Sequence, residues 1–325
     1  MNHAVRVYQH GEPDVLIWEP VDTTDPGPGE ARVRHSAIGL NFIDIYFRRG
    51  LYPPPALPFI PGMEAAGIVE AVGDGVTDVA VGDRVAYATA PLGSYAEVRN
   101  CPAETLVPLP SGIDASLAAA CLLKGMTAEY LVRRTYPVQA GETILVLAAA
   151  GGVGQILCQW AAAIGAKVIG VVGSDAKVEI ARAHGCAHTI VTSREDMVAR
   201  VREITAGAGV PVVYDSVGAD SFESSLACLQ RRGMLVSYGQ SSGKVPPLDV
   251  GTLAQHGSLY LTRPTLMDYV PTRPELLASA NALFEQILQG HIKVDIANRY
   301  PLRDAVRAHA DIESRLTTGS TLLLP

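Results

Sequence analysis

The chain has 325 residues, a formal net charge of -7, and 48% hydrophobic against 18% charged residues. That length suits two domains better than one. The acidic balance argues against a dedicated nucleic-acid surface.

Cys101, Cys121, Cys158, Cys186 and Cys228 are far apart, with no CxxC spacing. They read as reduced thiols in a cytoplasmic protein. The N-terminal stretch Met1–Tyr8 lacks an apolar signal core. Residues 143–172 are apolar, but Gln155, Gln159, Lys167 and several glycines interrupt them, so no membrane span is expected.

In chain order, the first 124 residues carry short strand patterns separated by Gly, Pro and Asp clusters. The strand candidates are Ala4–Tyr8, Glu30–His35, Ala65–Val72 and Asp83–Tyr87, which suggest a β-rich, barrel-like domain. Between them lie a short helix, Asn41–Gly50, and a proline-stiffened loop, Leu51–Pro58. Residues 114–134 read as a helix leading into the second domain.

Strands and helices then alternate. Strands are expected at Thr143–Ala150, Lys167–Val172, Thr189–Val191, Val210–Tyr214, Gly233–Tyr238 and Ser258–Thr262. Helices fit 155–164, 175–184, 195–206 and 220–230. This is the pattern of a doubly wound parallel sheet. A long helix, Arg273–Gln289, follows, then a strand Ile292–Ile296, a helix Leu302–Arg315 and a strand Thr321–Leu324. The tail is too small for its own core. The expected fold class is therefore α/β, with domains at 1–124 and 125–264, and a return segment, 265–325, completing the first.

The chemistry centres on Thr143–Gly154. A buried strand runs into Ala149-x-Gly151-x-x-Gly154, and Val153, Ile156, Leu157, Trp160 and Ile164 recur at helical spacing after it. Strand, glycine turn and helix form a dinucleotide-binding context, with alanine in the first glycine slot. Gly151, Gly152, Val153 and Gly154 would offer backbone N–H groups and a helix N-terminus to a pyrophosphate. A strictly structural turn is the competing reading. The second strand ends Val172-Gly173-Ser174, without the acidic residue that selects NAD, and Lys177 lies three residues beyond Ser174. This favours NADPH. Asp175 places a carboxylate beside the same pocket.

The local words Gly39–Asp44, Pro61–Val69, Val81–Val85, Leu92–Glu97, Ala149–Gly154, Tyr214–Gly218 and Arg231–Gly239 together resemble the zinc-independent quinone oxidoreductases. These are the zeta-crystallin-like group of the medium-chain dehydrogenase/reductase superfamily. The resemblance implies a GroES-like catalytic domain, a Rossmann domain, NADPH use and a homodimer or higher homo-oligomer. In zinc-dependent members a Cys and a His stand where this chain has Asn41 and Met63. An amide and a thioether are poor zinc ligands, and Glu64 alone makes no site, so no metal is expected. Without a Lewis acid the acceptor must already be electrophilic, as quinones and conjugated enones are. Hydrogen-bond donors near the acceptor oxygen then suffice.

The resemblance puts Asn41, Tyr46 and Tyr52 along the nicotinamide and quinone cleft, to orient cofactor and acceptor and to stabilise negative charge. For the tyrosines, packing with wet hydroxyls is the alternative. It further implies cofactor roles for Lys124, Thr127 and Tyr130 on the bridging helix. The same holds for Thr192, where relatives often carry a tyrosine, for Ser216 and Gly218, for Tyr238, Gly239, Gln240 and Ser241, and for Arg263 and Arg315. The function expected is NADPH-dependent reduction of a small-molecule quinone, with no nucleic-acid or membrane partner. Reduction of an activated C=C bond in an enone, enal or enoyl thioester is the alternative enzyme reading. A non-catalytic NADPH-binding protein is the alternative class.

Overall fold

A computed structural model of the chain describes residues 2–54, 56–314 and 317–325. The chain divides into two units. Met1–Lys124, Val270–Leu288 and Val294–Pro325 form one, and Gly125–Tyr269 with Gln289–Lys293 form the other.

The first unit begins with strands β1 (Asn2–Val7) and β2 (Leu16–Val21), an antiparallel pair. Next come β3 (Glu30–Leu40), helix α1 (Phe42–Arg48), β4 (Glu64–Val72), β5 (Arg84–Tyr87), β6 (Val98–Pro102) and β7 (Val107–Pro108). β3 is the central strand. Ala31, Val33, His35 and Ala37 face inward, while Arg34 and Ser36 are exposed, the alternation that one solvated face requires. β3 pairs with β4 along its length and with β6 over its first half. β2, β6 and β7 have no clear sequence signal. β6 carries Arg99 and Asn100 and is recruited by pairing with β3 rather than by its own pattern.

Helix α2 (Ala115–Tyr130) carries the chain into the second unit. There β8 (Thr143–Val146), α3 (Gly152–Ile164), β9 (Lys167–Val172), α4 (Val178–Ala183), β10 (Cys186–Val191), α5 (Met197–Ile204), β11 (Val210–Asp215), α6 (Phe222–Cys228), β12 (Leu229–Ser237), α7 (Gly251–Gln255), β13 (Tyr260–Thr262) and α8 (Leu266–Tyr269) follow. The six strands are parallel in the order β10-β9-β8-β11-β12-β13, a doubly wound Rossmann-type sheet. Val168–Val172 are all buried, as a strand covered on both faces must be. One helical stretch, Ala115–Thr135, is long and apolar enough to cross a bilayer. In the structure 78% of its most apolar window is buried within the protein.

The return segment comprises α9 (Arg273–Leu288), β14 (Ile296–Pro301), α10 (Ala305–Glu313) and β15 (Ser320–Leu324). β15 pairs antiparallel with the second half of β3, and β14 adds parallel to β15. The strand expected at Ile292–Ile296 is displaced, since only Ile296 belongs to β14. The backbone at Lys293 instead exchanges hydrogen bonds with the Gln159 side chain, at 2.9 Å in each direction, so no ladder forms there.

A buried polar chain fastens this return to α1. Arg48 is fully buried. Its Nη2 donates to the Glu313 carboxylate at 2.8 and 2.9 Å, and its Nε donates to Gly11 O at 3.1 Å. Arg48 Nη1 lies 3.0 Å from His309 Nδ1. Arginine can only donate, so Nδ1 accepts and the ring proton sits on Nε2. That proton points to Tyr95 Oη at 2.9 Å, and Tyr95 in turn donates to Asp44 Oδ2 at 3.0 Å. Burial, with Arg48 adding to it, pushes His309 down from 6.5 to about 3. Burial pushes the Asp44 carboxyl up from 3.8 to about 7, against the hydrogen bonds from Asn41 and Tyr95.

These shifts set opposite slopes. Between pH 6.5 and about 3 the unfolded chain binds the His309 proton and the folded one does not. That stability is present above pH 6.5 and is lost as pH falls through about 3. Asp44 acts the other way, losing stability as pH rises from 3.8 to about 7. Replacing His309 by Gln keeps a donor and an acceptor but removes the titration. We expect His309→Gln to cost about 1–3 kcal/mol at pH 7, with the gap to the parent narrowing steadily as the pH falls to about 4. Urea midpoints across that range check it, and a pH-independent gap would contradict the assignment.

Candidate active site

In the first unit the site is built around Glu64, the first residue of β4, which is fully buried. Its Oε1 accepts the Leu123 backbone N–H at 2.7 Å. Its Oε2 accepts Asn41 Nδ2 at 2.8 Å and Lys124 Nζ at 3.2 Å. Three chain segments meet on one carboxylate: the N-cap of α1, the start of β4 and the middle of α2. Asn41 is extended, and its own N–H is held by Asp44 Oδ2 at 2.9 Å. The amide orientation of Asn41 is thus imposed by Glu64, and one of its two N–H groups is engaged there rather than open to a ligand. The sequence places Glu64 as a structural residue bonded to backbone or a cation, and the structure supplies both in the Leu123 N–H and Lys124 Nζ; which donors converge on it is not legible locally.

Gly39 lies opposite Glu64 in the β3–β4 ladder. A Cβ at Gly39 would stand 2.2 Å from both Glu64 Oε2 and Ala119 O, so no side chain fits there.

Tyr46 is buried and Tyr52 half-buried. Their rings meet edge-on at 5.3 Å, and the N–H groups of Leu51 and Tyr52 both donate to Tyr46 O, at 2.8 and 3.2 Å. The structure thus groups Asn41, Tyr46 and Lys124 as buried residues of one unit, with Tyr52 against Tyr46. Met63 is buried beside Glu64 in sequence. Among the described residues no group of three or more His, Cys, Asp or Glu is placed to hold a metal ion.

In the second unit the glycine turn has the geometry of a dinucleotide cradle. Gly151 is the N-cap of α3, and the left-handed position of the turn falls on Ala148 at φ 52°, not on Ala149. Alanine in the first slot of the motif therefore carries no strain. A Cβ at Gly154 would lie 2.3 Å from Ala148 O, which is the close helix–strand approach that demands glycine. The N–H groups of Gly152, Val153 and Gly154 belong to the first turn, which leaves them without acceptors inside the helix. The chain's own residues fit a dinucleotide pyrophosphate.

The C-terminal ends of β8 to β12 bring most of the remaining candidates to one edge of the sheet. Gly173 is exposed, while Ser174 and Lys177 are half-buried where β9 ends. Thr192 donates through its N–H to Val172 O at 3.0 Å. Asp175 pairs with Arg194, 2.9 Å from Nη2, so a guanidinium stands beside the carboxylate next to Ser174. Arg194 escaped the sequence reading, because its pairing spans two loops. Ser216 and the segment 238–241 are laced together by Ser241 N–H to Ser216 O at 3.2 Å and Tyr238 N–H to Asp215 O at 2.8 Å. The buried Asp215 carboxylate holds that loop, taking the N–H groups of Val217 and Gly218 and the hydroxyls of Ser221 and Ser225.

Gly239 packs against Ser216, where a Cβ would lie 2.6 Å from Ser216 O. Gln240 is half-buried. Arg263 follows β13 and is exposed, donating to Pro264 O at 3.1 Å. Thr127 is buried on α2, and Tyr130 stacks on Tyr269 at 4.2 Å. Burial raises the Tyr130 phenol pKa, and Arg263 and Tyr238 lie near enough for their charges to bear on it. Arg315 lies outside the described residues.

Replacing Gly39 by Ala should drive a methyl group into the Glu64 carboxylate and the α2 backbone. We expect a loss of about 1–3 kcal/mol in chemical denaturation.

Residues 27–135 match the alcohol dehydrogenase GroES-like domain, and residues 152–277 match the zinc-binding dehydrogenase domain. The chain is 52% identical over 325 residues to a quinone oxidoreductase of Pseudomonas aeruginosa, covering 100% of both. It is 44% identical over 328 residues to a 2-haloacrylate reductase of a Burkholderia species, covering 99% of this chain and 98% of the other. The crystal structure of Escherichia coli quinone oxidoreductase complexed with NADPH superposes with a TM-score of 0.98 at 51% identity, covering 99% of this chain and 100% of that one. With both domain families matched in order and full-length identity above one half, the chain belongs to the quinone oxidoreductase family.

Proposed function

We propose that this protein is an NADPH-dependent reductase that passes reducing equivalents to quinones without a metal ion. One observation carries the reading. A dinucleotide cradle occurs in the same chain as an acceptor-side cluster made of an amide, an ammonium and phenols, with Asn41 standing where zinc-dependent relatives carry a metal ligand. The full-length likeness to quinone oxidoreductases supports it.

In the proposed reaction, quinone, NADPH and a proton give hydroquinone and NADP⁺. Bound NADPH supplies the hydride. The first-turn N–H groups of Gly152, Val153 and Gly154 hold the pyrophosphate, and Gly151 lets it approach. Ser174 and Lys177 take the 2′-phosphate, with Arg194 holding Asp175 aside. Thr192, Ser216, Tyr238, Gly239, Gln240 and Ser241 line the remaining cofactor edge, and Gly173 leaves it open. Thr127, Tyr130 and Arg263 serve the cofactor as lesser contacts. Asn41, Tyr46 and Tyr52 orient the acceptor and donate to its oxygen. A quinone needs no stronger polarisation, because added charge spreads over its conjugated ring onto the second oxygen.

Reduction of an activated C=C bond is the second reading, favoured by the 44% identity to a 2-haloacrylate reductase. Both substrates present a carbonyl conjugated to the reacting centre. We further propose a cytoplasmic homodimer. β13 is the edge of the parallel sheet, with Tyr260 58% and Leu261 38% exposed, an uncovered apolar edge suited to pairing with a second copy. All five cysteines are buried and free, as a reducing compartment permits. A solution mass of one chain would refute the dimer.

The decisive assay follows NADPH oxidation with 1,4-benzoquinone and, separately, with 2-chloroacrylate. Rapid quinone-dependent oxidation is expected, and tight NADPH binding without turnover on either would favour a binding protein instead. Lys177→Ala should raise the KM for NADPH by about 10-fold, the order of one charge-assisted contact, and leave the KM for NADH within about twofold. Equal losses for both cofactors would show that Lys177 does not read the 2′-phosphate.

A further inference from the structure

We propose that Lys124 is a catalytic residue whose ammonium takes the acceptor oxygen as negative charge develops there, and that Glu64 is its positioning residue. The proposal rests on the quinone-reductase reading above and names the group that replaces the metal's electrostatic role.

A carboxylate with no solvent exposure needs compensation, and Lys124 is the cation that supplies it. The Lys124 side chain is only 6% exposed, so this is not a solvated surface lysine. An ammonium has three N–H donors, and Glu64 takes one of them. Asn41 Nδ2 donates to the same Glu64 oxygen and keeps a second N–H. Two donor heads bonded to one oxygen are near enough to share a second oxygen. A carbonyl oxygen placed there would meet an ammonium N–H, whose charge is shared with Glu64, and an amide N–H, both on buried side chains. That is the arrangement of an oxyanion-stabilising site, in which preorganised donors stabilise charge that appears only as the reaction proceeds.

The same geometry explains why Lys124 is built this way. The Leu123 N–H and the Lys124 Nζ hold opposite oxygens of one carboxylate, so the backbone and the head group of adjacent residues are fixed together. A flexible four-carbon stem is thereby made rigid at its tip. When the acceptor gains the hydride, its oxygen becomes anionic and rests on the Lys124 ammonium. Water then supplies the remaining proton, and no bond to the protein is made or broken.

The test uses the full-length enzyme and the variants Lys124→Met, Glu64→Gln and the double variant. Lys124→Met strands the Glu64 carboxylate. The double variant removes both charges and keeps the acceptor for Leu123, so its thermal melt separates chemistry from folding. NADPH affinity is read by fluorescence titration, turnover with 1,4-benzoquinone, and the ionisation of bound 4-nitrophenol by its phenolate absorbance. The nitrophenol stands in for the anionic oxygen and needs no turnover.

We expect the parent to bind the phenolate form, lowering the apparent pKa of the probe. Lys124→Met and the double variant should lose that shift and about 100-fold in kcat, with NADPH affinity within about twofold. Glu64→Gln should keep part of the shift and lower kcat by about 10-fold, since the ammonium remains but is less well aimed. No phenolate shift in the parent, a shift retained in the double variant, or a loss confined to NADPH affinity would each overturn the proposal. If the parent fails to oxidise NADPH with quinones yet shows a Lys124-dependent phenolate shift, the quinone reading fails and the oxyanion site stands.

Discussion

Burial of the Glu64 carboxylate is the constraint on which the junction of α1, β4 and α2 in the first unit depends. Once placed at the start of β4, with no exposure, that charge must be matched by donors. It gathers them from the Asn41 side chain, from the Leu123 backbone and from Lys124. The absence of a side chain at Gly39 follows from the same requirement, because a methyl group there would occupy the space of the carboxylate oxygen. In zinc-dependent relatives the neighbouring positions are metal ligands. Here the same region is organised by hydrogen bonds and one ion pair.

A second buried chain stands behind the first. Arg48, His309, Tyr95 and Asp44 are all inaccessible to solvent, and the donor-only arginine sets every proton in the series to point toward Asp44. Asp44 receives Tyr95 and the Asn41 N–H on one oxygen, while its other oxygen is buried without a partner. That imbalance accompanies the raised pKa of the carboxyl. Because the chain runs from α1 to α10, the N-cap of α1 is anchored by a segment more than 260 residues away. The C-terminal return is therefore part of the site's support and more than a covering layer.

On the cofactor side the electrostatics are local and exposed. Asp175 and Arg194 are both more than half exposed, so their pairing adds little stability. Its effect is on charge placement, since it sets a guanidinium against the carboxylate that follows Ser174. Asp215 does the structural work nearby. Its carboxylate, buried and ringed by four donor groups, holds the loop that follows β11, and with it the Ser216 backbone against residues 238–241.

Much of this protein was legible in the sequence for a physical reason: its information is periodic or local. The buried run Lys167–Val172, the amphipathic helix after Gly154 and the alternating face of β3 each encode their environment in neighbouring residues. The glycine turn does so too, and Gly154 is required by a contact only six residues back. That Asn41 and Met63 are poor zinc ligands is legible in the same way, since ligand chemistry is a property of residue type. What the tertiary structure alone decided is every interaction that joins distant segments. The strand Val98–Pro102 exists because β3 offers it an edge, and the chain at Lys293 leaves the sheet because Gln159 captures it. The pairing of Arg194 with Asp175, the line from Arg48 to Asp44 and the convergence of Asn41 and Lys124 on Glu64 carry no spacing rule. Burial of charge forces such partnerships, but only the folded chain determines which residues are near enough to form them.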